Sequence, residues 1–302
     1  MRYAVAHGRR SGRGGAAALG AEAVVRLRSQ GHDVVEISAG SREEAFDRCR
    51  AQVADGVDVL VVAGGDGIVS LAADLCAGTS TAVGILPAGT GNDNARSLSI
   101  PFDAAGALQT LVGGHRRTVD VLRVEELDRH VLGSVDAGLD ARIAHRATLL
   151  PRRLGALSYT VAALVEIARL PRTPPLRYRL TVTSDAGAPA TEELDALVVV
   201  PANMPFVGGG LLVAPDADPA DGLLDLVVIR PLSPRRALTL LRAVRAGRHT
   251  RMPEVQVRRT TRVRIEGPAD VLAHGDGEAL APLPLTVGVV PSALQVVAPA
   301  LT

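Results

Sequence analysis

Residues 57–98 constrain this chain more than any other stretch. They read VDVLVVAGGDGIVSLAADLCAGTSTAVGILPAGTGNDNARSL. An apolar run (57–63) enters Gly64-Gly65-Asp66-Gly67, a helical pattern follows (69–77), and a second apolar run (82–86) enters Pro87-Ala88-Gly89-Thr90-Gly91-Asn92-Asp93. Both runs are short, β-branched and nearly unbroken, the pattern of parallel strands buried on both faces. Each ends in a Gly-rich turn that opens a helix. Such turns present bare backbone N–H groups and the positive end of a helix dipole, which suits a phosphate. Ligands of open parallel sheets sit at the carboxyl ends of the strands, where both loops lie. A nucleotide site made from two loops is the expectation.

The chain upstream repeats the rhythm. Residues 3–7 read as a strand, 16–30 as an amphipathic helix, 33–38 as a strand and 43–54 as a helix. With the opening stretch this gives β-α-β-α-β-α-β on a parallel sheet. The Gly-rich turn 8–15 between the first strand and helix carries Arg9, Arg10 and Arg13, and reads equally as a phosphate contact or a basic surface loop.

From about residue 119 the pattern changes. Alternating or apolar runs separated by turn signals take over at 119–124, 130–135, 177–183, 194–200, 223–229, 256–257, 262–266, 271–273, 285–289 and 294–297. Only 158–169 and 234–245 look helical. This predicts an all-β domain, a sandwich, with two inserted helices. The fold class expected is therefore an α/β N-terminal domain over 1–120 and a β-sandwich domain over 121–302.

Composition excludes several functions. Net charge is +1, aromatics are 2% and there is no Trp, so neither bulk charge nor stacking platforms point to nucleic acid. All 33 basic residues are Arg. P-loop and protein-kinase-type enzymes use a phosphate-binding lysine, so phosphoryl transfer here needs another scaffold. Cys49 and Cys76 fall in helical patterns without metal-ligand spacing, as reduced thiols of a cytoplasmic protein would. The first residues read as a strand rather than a signal peptide, and no apolar run approaches ~18 residues, so no membrane span is expected.

Two clusters in the second half carry possible chemistry. Asn203 and Gly208-Gly209-Gly210 precede APDADPADGLLD, in which Asp216, Asp218, Asp221 and Asp225 place four carboxylates within ten residues. They repel unless solvated or neutralised, so the loop reads as a hard-cation site or a solvated acidic turn. Asp276 and Glu278 lie two apart. On an extended segment they share a face as a general-base and Mg²⁺ pair; the alternative is a polar hairpin turn. The amphipathic, Arg-flanked stretch 149–170 either lines an acyl channel, touches a membrane or covers a sheet. The run 235–264, with ten arginines against Glu254 alone, suits an anionic bilayer or a solvated basic face.

GGDG, PAGTGND, DAGLDA (136–141), GGG with APDADPADGLLD, and DGE, in this order and spacing, resemble the diacylglycerol kinase catalytic-domain family essentially end to end. That family includes diacylglycerol kinases, sphingosine kinases and bacterial soluble lipid kinases, and is related in fold to NAD kinases and phosphofructokinases. The resemblance implies ATP over Gly64, Gly65, Asp66, Gly67 and the Gly89, Thr90, Gly91, Asn92, Asp93 loop, with Ser38 as a further contact. It implies Glu278 as the base, Asp276 and Asp66 helping to hold Mg²⁺, and a structural metal on Asp218, Asp221 and Leu223. The last ~15 residues are expected to return to the first domain. Arginines of the 9–13 turn would stand in for the missing lysine as charge stabilisers.

Three departures stand out. The Thr expected after GGDG is Ile68, the Asn-Glu pair that follows is Ser70-Leu71, and the Asn-Pro before Ser11-Gly12 is Gly8-Arg9. Each lost hydrogen bond is worth roughly 0.5–1.5 kcal/mol, and none of the carboxylates is affected. The reading is an ATP- and Mg²⁺-dependent lipid kinase of diacylglycerol or a related lipid, cytoplasmic and peripheral at a membrane surface. Its partners would include no nucleic acid, and an exposed edge strand leaves room for a homodimer. The alternatives are a kinase of a non-lipid alcohol on the same fold, or a non-catalytic nucleotide- or lipid-binding homologue.

Overall fold

The computed structural model describes residues 1–8, 15–113, 115–154, 157–172, 175–183 and 188–300. The arginine turn 9–13 lies outside the described residues. Two compact units divide the chain: Met1–Val121 with Ser292–Thr302, and Leu122–Pro291.

In the first unit β1 (Arg2–Gly8), α1 (Gly15–Ser29), β2 (Asp33–Ala39), α2 (Arg42–Ala54), β3 (Val59–Gly64), α3 (Asp66–Cys76) and β4 (Ala82–Pro87) alternate. α4 (Asp93–Ser97), α5 (Ala104–Gly113) and β5 (Arg116–Val124) follow. Parallel neighbours need a crossover long enough to bring the chain back, and each helix supplies one. β1 accordingly pairs in parallel with β2 and β3, and β3 with β4. Every residue of β3 and β4 is buried, as their unbroken apolar runs require. Leu19, Val24 and Leu27 of α1, with Leu108 and Leu111 of α5, pack on Tyr3, Val5, Val59 and Val61. Cys49 and Cys76 are free and fully buried, and burial pushes their thiols up to about 11 and about 12. Neither is a nucleophile at neutral pH.

The second unit continues with β6 (Arg129–Val131), β7 (Val135–Gly138), α6 (Leu139–Leu149), α7 (Leu157–Arg169), β8 (Leu176–Thr183), β9 (Ala190–Ala196) and β10 (Val198–Ala202). Then come β11 (Phe206–Val207), β12 (Leu211–Leu212), β13 (Leu224–Ile229), α8 (Pro234–Arg245), β14 (Val255–Thr260), β15 (Arg262–Glu266), β16 (Leu272–Gly275), β17 (Glu278–Pro282) and β18 (Leu285–Val297). One layer is a six-stranded antiparallel sheet in the order β14-β13-β10-β7-β16-β17. The other contains β9-β8-β15 and the start of β18, with β5 pairing β6. Alternate residues of both sheets, among them Leu122, Tyr178, Leu180, Leu226, Val263 and Leu285, fill the space between them. On the outer face of the six-stranded sheet, Ala237, Leu240 and Val244 of α8 cover Val200, Val227 and Ile229. The last residues of β18, Val296 and Val297, pair in parallel with β4 and belong to the first unit.

Several boundaries differ from the sequence reading. Helices α5 and α6 were not expected, whereas α4 is the helix expected to open from the second Gly-rich turn. The run 130–135 is two strands, broken at Gly133-Ser134. The run 194–200 is also two strands, with Leu197 between a strand of one sheet and a strand of the other. A continuous apolar run cannot reveal such a switch, because both strands are buried. The two segments 285–289 and 294–297 are one strand. On α7 the Glu166 side chain, 1% exposed, meets Arg142 at 2.8 Å and Arg146 at 2.5 Å, which ties α6 to α7. Nothing in the local pattern of either helix signals that node.

Candidate functional site

In the first unit the strand register lines up Ser38, His7, Ala63 and Leu86 across β2, β1, β3 and β4. Both glycine loops leave from this carboxyl edge. Helix α3 begins three residues earlier than its apolar pattern suggests, so Asp66 and Gly67 form its first turn rather than a free loop. Gly65 is its N-cap, with no side-chain cap bond, and its carbonyl accepts the Ile68 and Val69 N–H groups. The second loop folds on itself: Gly89 N–H donates to Asn92 Oδ1 at 2.9 Å, and Asn92 Nδ2 donates to the Gly89 carbonyl at 3.0 Å. Asn92 sits at φ +54° to begin α4.

The two loops touch backbone to backbone. A Cβ built on Gly89 would lie 2.3 Å from the Gly65 Cα, and one on Gly65 would lie 3.2 Å from the Gly89 Cα. No side chain fits at Gly89 while the loops stay together. Asp66 closes the arrangement, its Oδ1 accepting the Asn94 N–H at 3.0 Å. A carboxylate has more acceptor positions than this one bond uses, so Asp66 can also face a cation. Of the residues expected to bind nucleotide, Gly64–Gly67 and Gly89–Asp93 come together here, and Ser38 is the penultimate residue of β2, two strands from β3 along the same edge.

In the second unit the DGE segment is not an extended stretch. Asp276 and Gly277 have φ of +48° and +81° and link β16 to β17 with Gly275 opposite Glu278, a type I′ hairpin turn. The shared-face argument for Asp276 and Glu278 therefore fails: one lies in the turn and the other opens the next strand. The Asp276 carboxylate instead accepts three backbone N–H groups, from Leu132 (3.1 Å), Gly133 (2.9 Å) and Ser134 (3.2 Å). Its own N–H donates to the Ser134 carbonyl at 3.1 Å.

Asn203 grips the same turn from its carbonyl side. Its Nδ2 donates to the Leu132 carbonyl at 2.9 Å and its backbone N–H to the Gly133 carbonyl at 2.8 Å. The Ser134 hydroxyl then donates to Asp136 Oδ1 at 2.9 Å, and Asp136 pairs in register with His274. Ser134, Asp136, Asn203 and His274 are all buried. Sequence reasoning singled out Asp136 and Asn203 only as parts of motifs. The Gly133-Ser134 dipeptide was the turn signal that would have brought them together.

The acidic loop before β13 behaves differently from a cation cage. Asp218 Oδ1 accepts the Ala220 N–H at 3.0 Å, and Asp221 Oδ1 accepts the Leu223 N–H at 2.9 Å. Asp221 Oδ2 is paired with the guanidinium of Arg259. No three His, Cys, Asp or Glu side chains cluster to hold a metal among the described residues. As a donor set for the structural metal, Asp218, Asp221 and Leu223 do not fit, because the guanidinium of Arg259 already stands as the cation against Asp221 Oδ2. The Mg²⁺ of a nucleotide is different, since phosphates supply most of its ligands and one or two carboxylates suffice. Asp66, one oxygen of which accepts the Asn94 N–H, is compatible with such a role.

Burial, and then the charge of Asp216, push the Asp225 carboxyl up to about 6. An ordinary aspartate titrates near ~3.9, so the fold binds this proton more tightly than the unfolded chain does. Stability therefore falls as pH rises from about 4 to about 6, and the ionised group is a standing penalty above that. Asp225→Asn should stabilise the protein at pH 7 by about 1–2 kcal/mol after allowing for screening, with no gain near pH 4. Urea unfolding at the two pH values checks this.

A family model described as the diacylglycerol kinase catalytic domain matches residues 2–124. A second, described as the YegS C-terminal NAD kinase beta sandwich-like domain, matches residues 133–298. A protein of Mycobacterium tuberculosis (strain H37Rv) named diacylglycerol kinase is 37% identical over 296 residues, covering 96% of this chain and 92% of that one. The chain belongs to the diacylglycerol kinase family. A Xanthomonas campestris pv. campestris protein named "Probable lipid kinase YegS-like" is 30% identical over 247 residues, 78% of this chain and 77% of that one. The solved structure of a diacylglycerol kinase from Bacillus anthracis matches with a TM-score of 0.72 over 99% of this chain and 97% of that one. At 18% identity this likeness speaks for the fold alone.

Membership in a kinase family supports a kinase activity with ATP as phosphate donor. Against the diacylglycerol kinase pattern, Ile68 now has a structural setting. Its Cγ2 lies 2.6 Å from where a Gly64 Cβ would be, so an aliphatic branch covers the end of β3 in place of a hydroxyl. Ser70 is buried at 1% exposure inside α3. The arginine-rich run 235–264 is spread over α8, β14 and β15, and much of it is paired: Arg236 with Glu254, Arg258 with Glu192, Arg262 with Glu125 and Arg264 with Glu126. No helix among the described residues is long and apolar enough to cross a membrane.

Proposed function

We propose that this chain transfers the γ-phosphate of ATP to a hydroxyl of diacylglycerol or a closely related lipid. The observation that carries the reading is the backbone apposition of Gly65 and Gly89, bridged by Asp66, at the carboxyl edge of the parallel sheet. Side chains are excluded at this point, which is what a polyphosphate approaching two backbones requires. The name and 37% identity of the mycobacterial relative support a lipid acceptor.

In this reading Gly64, Gly65, Gly67 and the loop from Gly89 through Thr90, Gly91, Asn92 and Asp93 take the phosphates, with Ser38 further along the edge. Glu278, at the start of β17, removes the proton from the acceptor hydroxyl as its oxygen attacks the γ-phosphorus. The bond to the β–γ bridging oxygen breaks and ADP leaves. Asp66 would hold Mg²⁺, which when bound would supply charge neutralisation on the phosphoryl oxygens. Asp276 positions the turn rather than touching the reactants. Leu149 at the end of α6 and Leu157, Leu164 and Val165 of α7 are exposed, and offer an apolar surface for peripheral contact with the lipid phase.

Incubation with γ-labelled ATP, Mg²⁺ and separate acceptors tests the reading. Diacylglycerol vesicles should become labelled and glycerol should not. Label in glycerol alone would move the acceptor to a soluble alcohol. ATP binding without label in any acceptor would favour a non-catalytic homologue, a reading to which Ile68 against Gly64 lends some weight.

A further inference from the structure

The acidic loop poses an electrostatic problem that the lipid-kinase reading does not use. Asp216, Asp218, Asp221 and Asp225 crowd ten residues, and solvent or a counter-ion must offset their mutual repulsion. Arg259 stands on β14 directly opposite Asp225 of β13, in a ladder that runs without interruption from Leu224↔Thr260 to Ile229↔Val255. The position of its backbone is thus set by a strand pair and not by a floppy loop. From there it reaches the Asp221 carboxylate, whose other oxygen accepts the Leu223 N–H.

We propose that Arg259 is the resident counter-ion of this loop and holds the place that a divalent cation would otherwise take. A hard cation needs a carboxylate oxygen at about 2.0–2.6 Å, depending on the metal. The guanidinium stands against Asp221 Oδ2, so a metal there would have to displace a cation that is tethered and permanently charged. The guanidinium also matches the carboxylate without the dehydration that Mg²⁺ resists. The fold of the loop is then indifferent to divalent metal. Removing the guanidinium, while leaving the carboxylates, converts the loop into a metal-responsive one. This inference does not depend on the lipid-kinase reading, because its test reads thermal stability and not turnover.

The experiment compares unfolding midpoints in EDTA and across MgCl₂ and CaCl₂ titrations for wild type, Arg259→Gln, Arg259→Lys and Asp221→Asn. Wild type and Arg259→Lys should not respond to either metal. Arg259→Gln should melt several degrees lower in EDTA and recover saturably with metal. Two results would overturn the proposal. One is a saturable metal-induced rise in wild type that Asp221→Asn abolishes. The other is an Arg259→Gln midpoint that no metal restores. Should Arg259→Gln not fold, the wild-type and Asp221→Asn titrations decide: indifference in both supports the proposal, and an Asp221-dependent rise refutes it.

Discussion

Gly89→Ala should separate the two glycine loops and weaken ATP binding about tenfold or more. The added methyl would sit 2.3 Å from the Gly65 Cα and 2.9 Å from Asn92 Oδ1. Neither neighbour is the flexible end of a side chain. Gly65 belongs to backbone that caps α3, and Asn92 is fixed by its paired bonds to Gly89 itself. Relief therefore requires moving one loop, at about 1–3 kcal/mol by the experience of overpacked sites. The movement also strains the Asp66–Asn94 bond that joins the two helix starts. Nucleotide titration by calorimetry measures the affinity loss. Unaltered affinity would mean that nucleotide does not lie over these loops.

Asp276 carries the second large effect. In Asp276→Ala the N–H groups of Leu132, Gly133 and Ser134 lose their acceptor together, in a turn whose residues are buried. Unmet buried donors and the loss of a charged acceptor should destabilise the unit by about 3 kcal/mol. Asp276→Asn keeps one carbonyl oxygen and should lose roughly half as much. Amide hydrogen exchange gives the local readout, with Leu132, Gly133 and Ser134 losing protection first. Turnover should fall about 100-fold even in the Asn variant, since Glu278 is held by the hairpin that Asp276 anchors. If Asp276 acted only through metal, Asp276→Asn would leave exchange at those three amides unchanged.

The contrast between these two residues shows what was legible in the sequence. The parallel half was readable because period and punctuation agree. Apolar runs end in Gly-rich turns, the turns open helices, and the register then places every strand's carboxyl end on one edge. That Gly65 and Gly89 would meet followed only loosely, from their being on adjacent strands. In the sandwich half the hairpin at Asp276-Gly277 was visible as an Asp-Gly signal, yet its carboxylate looked available for metal. Its true partners lie more than 140 residues earlier, in a turn hidden inside an apparent strand. Arg259 was invisible for a similar reason. The nearest acid in sequence, Glu254, pairs with Arg236, and only the β13–β14 register carries Arg259 to Asp221. Local pattern finds turns and strands, whereas the partners of a buried carboxylate are set by tertiary pairing.

The central claim, that this chain is a phosphotransferase acting on a lipid hydroxyl with Glu278 as its base, is tested most directly by one rate comparison. Wild type and Glu278→Gln are given γ-labelled ATP, Mg²⁺ and diacylglycerol vesicles, and the initial rate of label entering lipid is measured. Wild type should label the lipid, and Glu278→Gln should be slower by about 10²–10⁴-fold while still binding ATP. Equal rates in the two proteins, or ATP binding by wild type with no labelled lipid, would contradict the account.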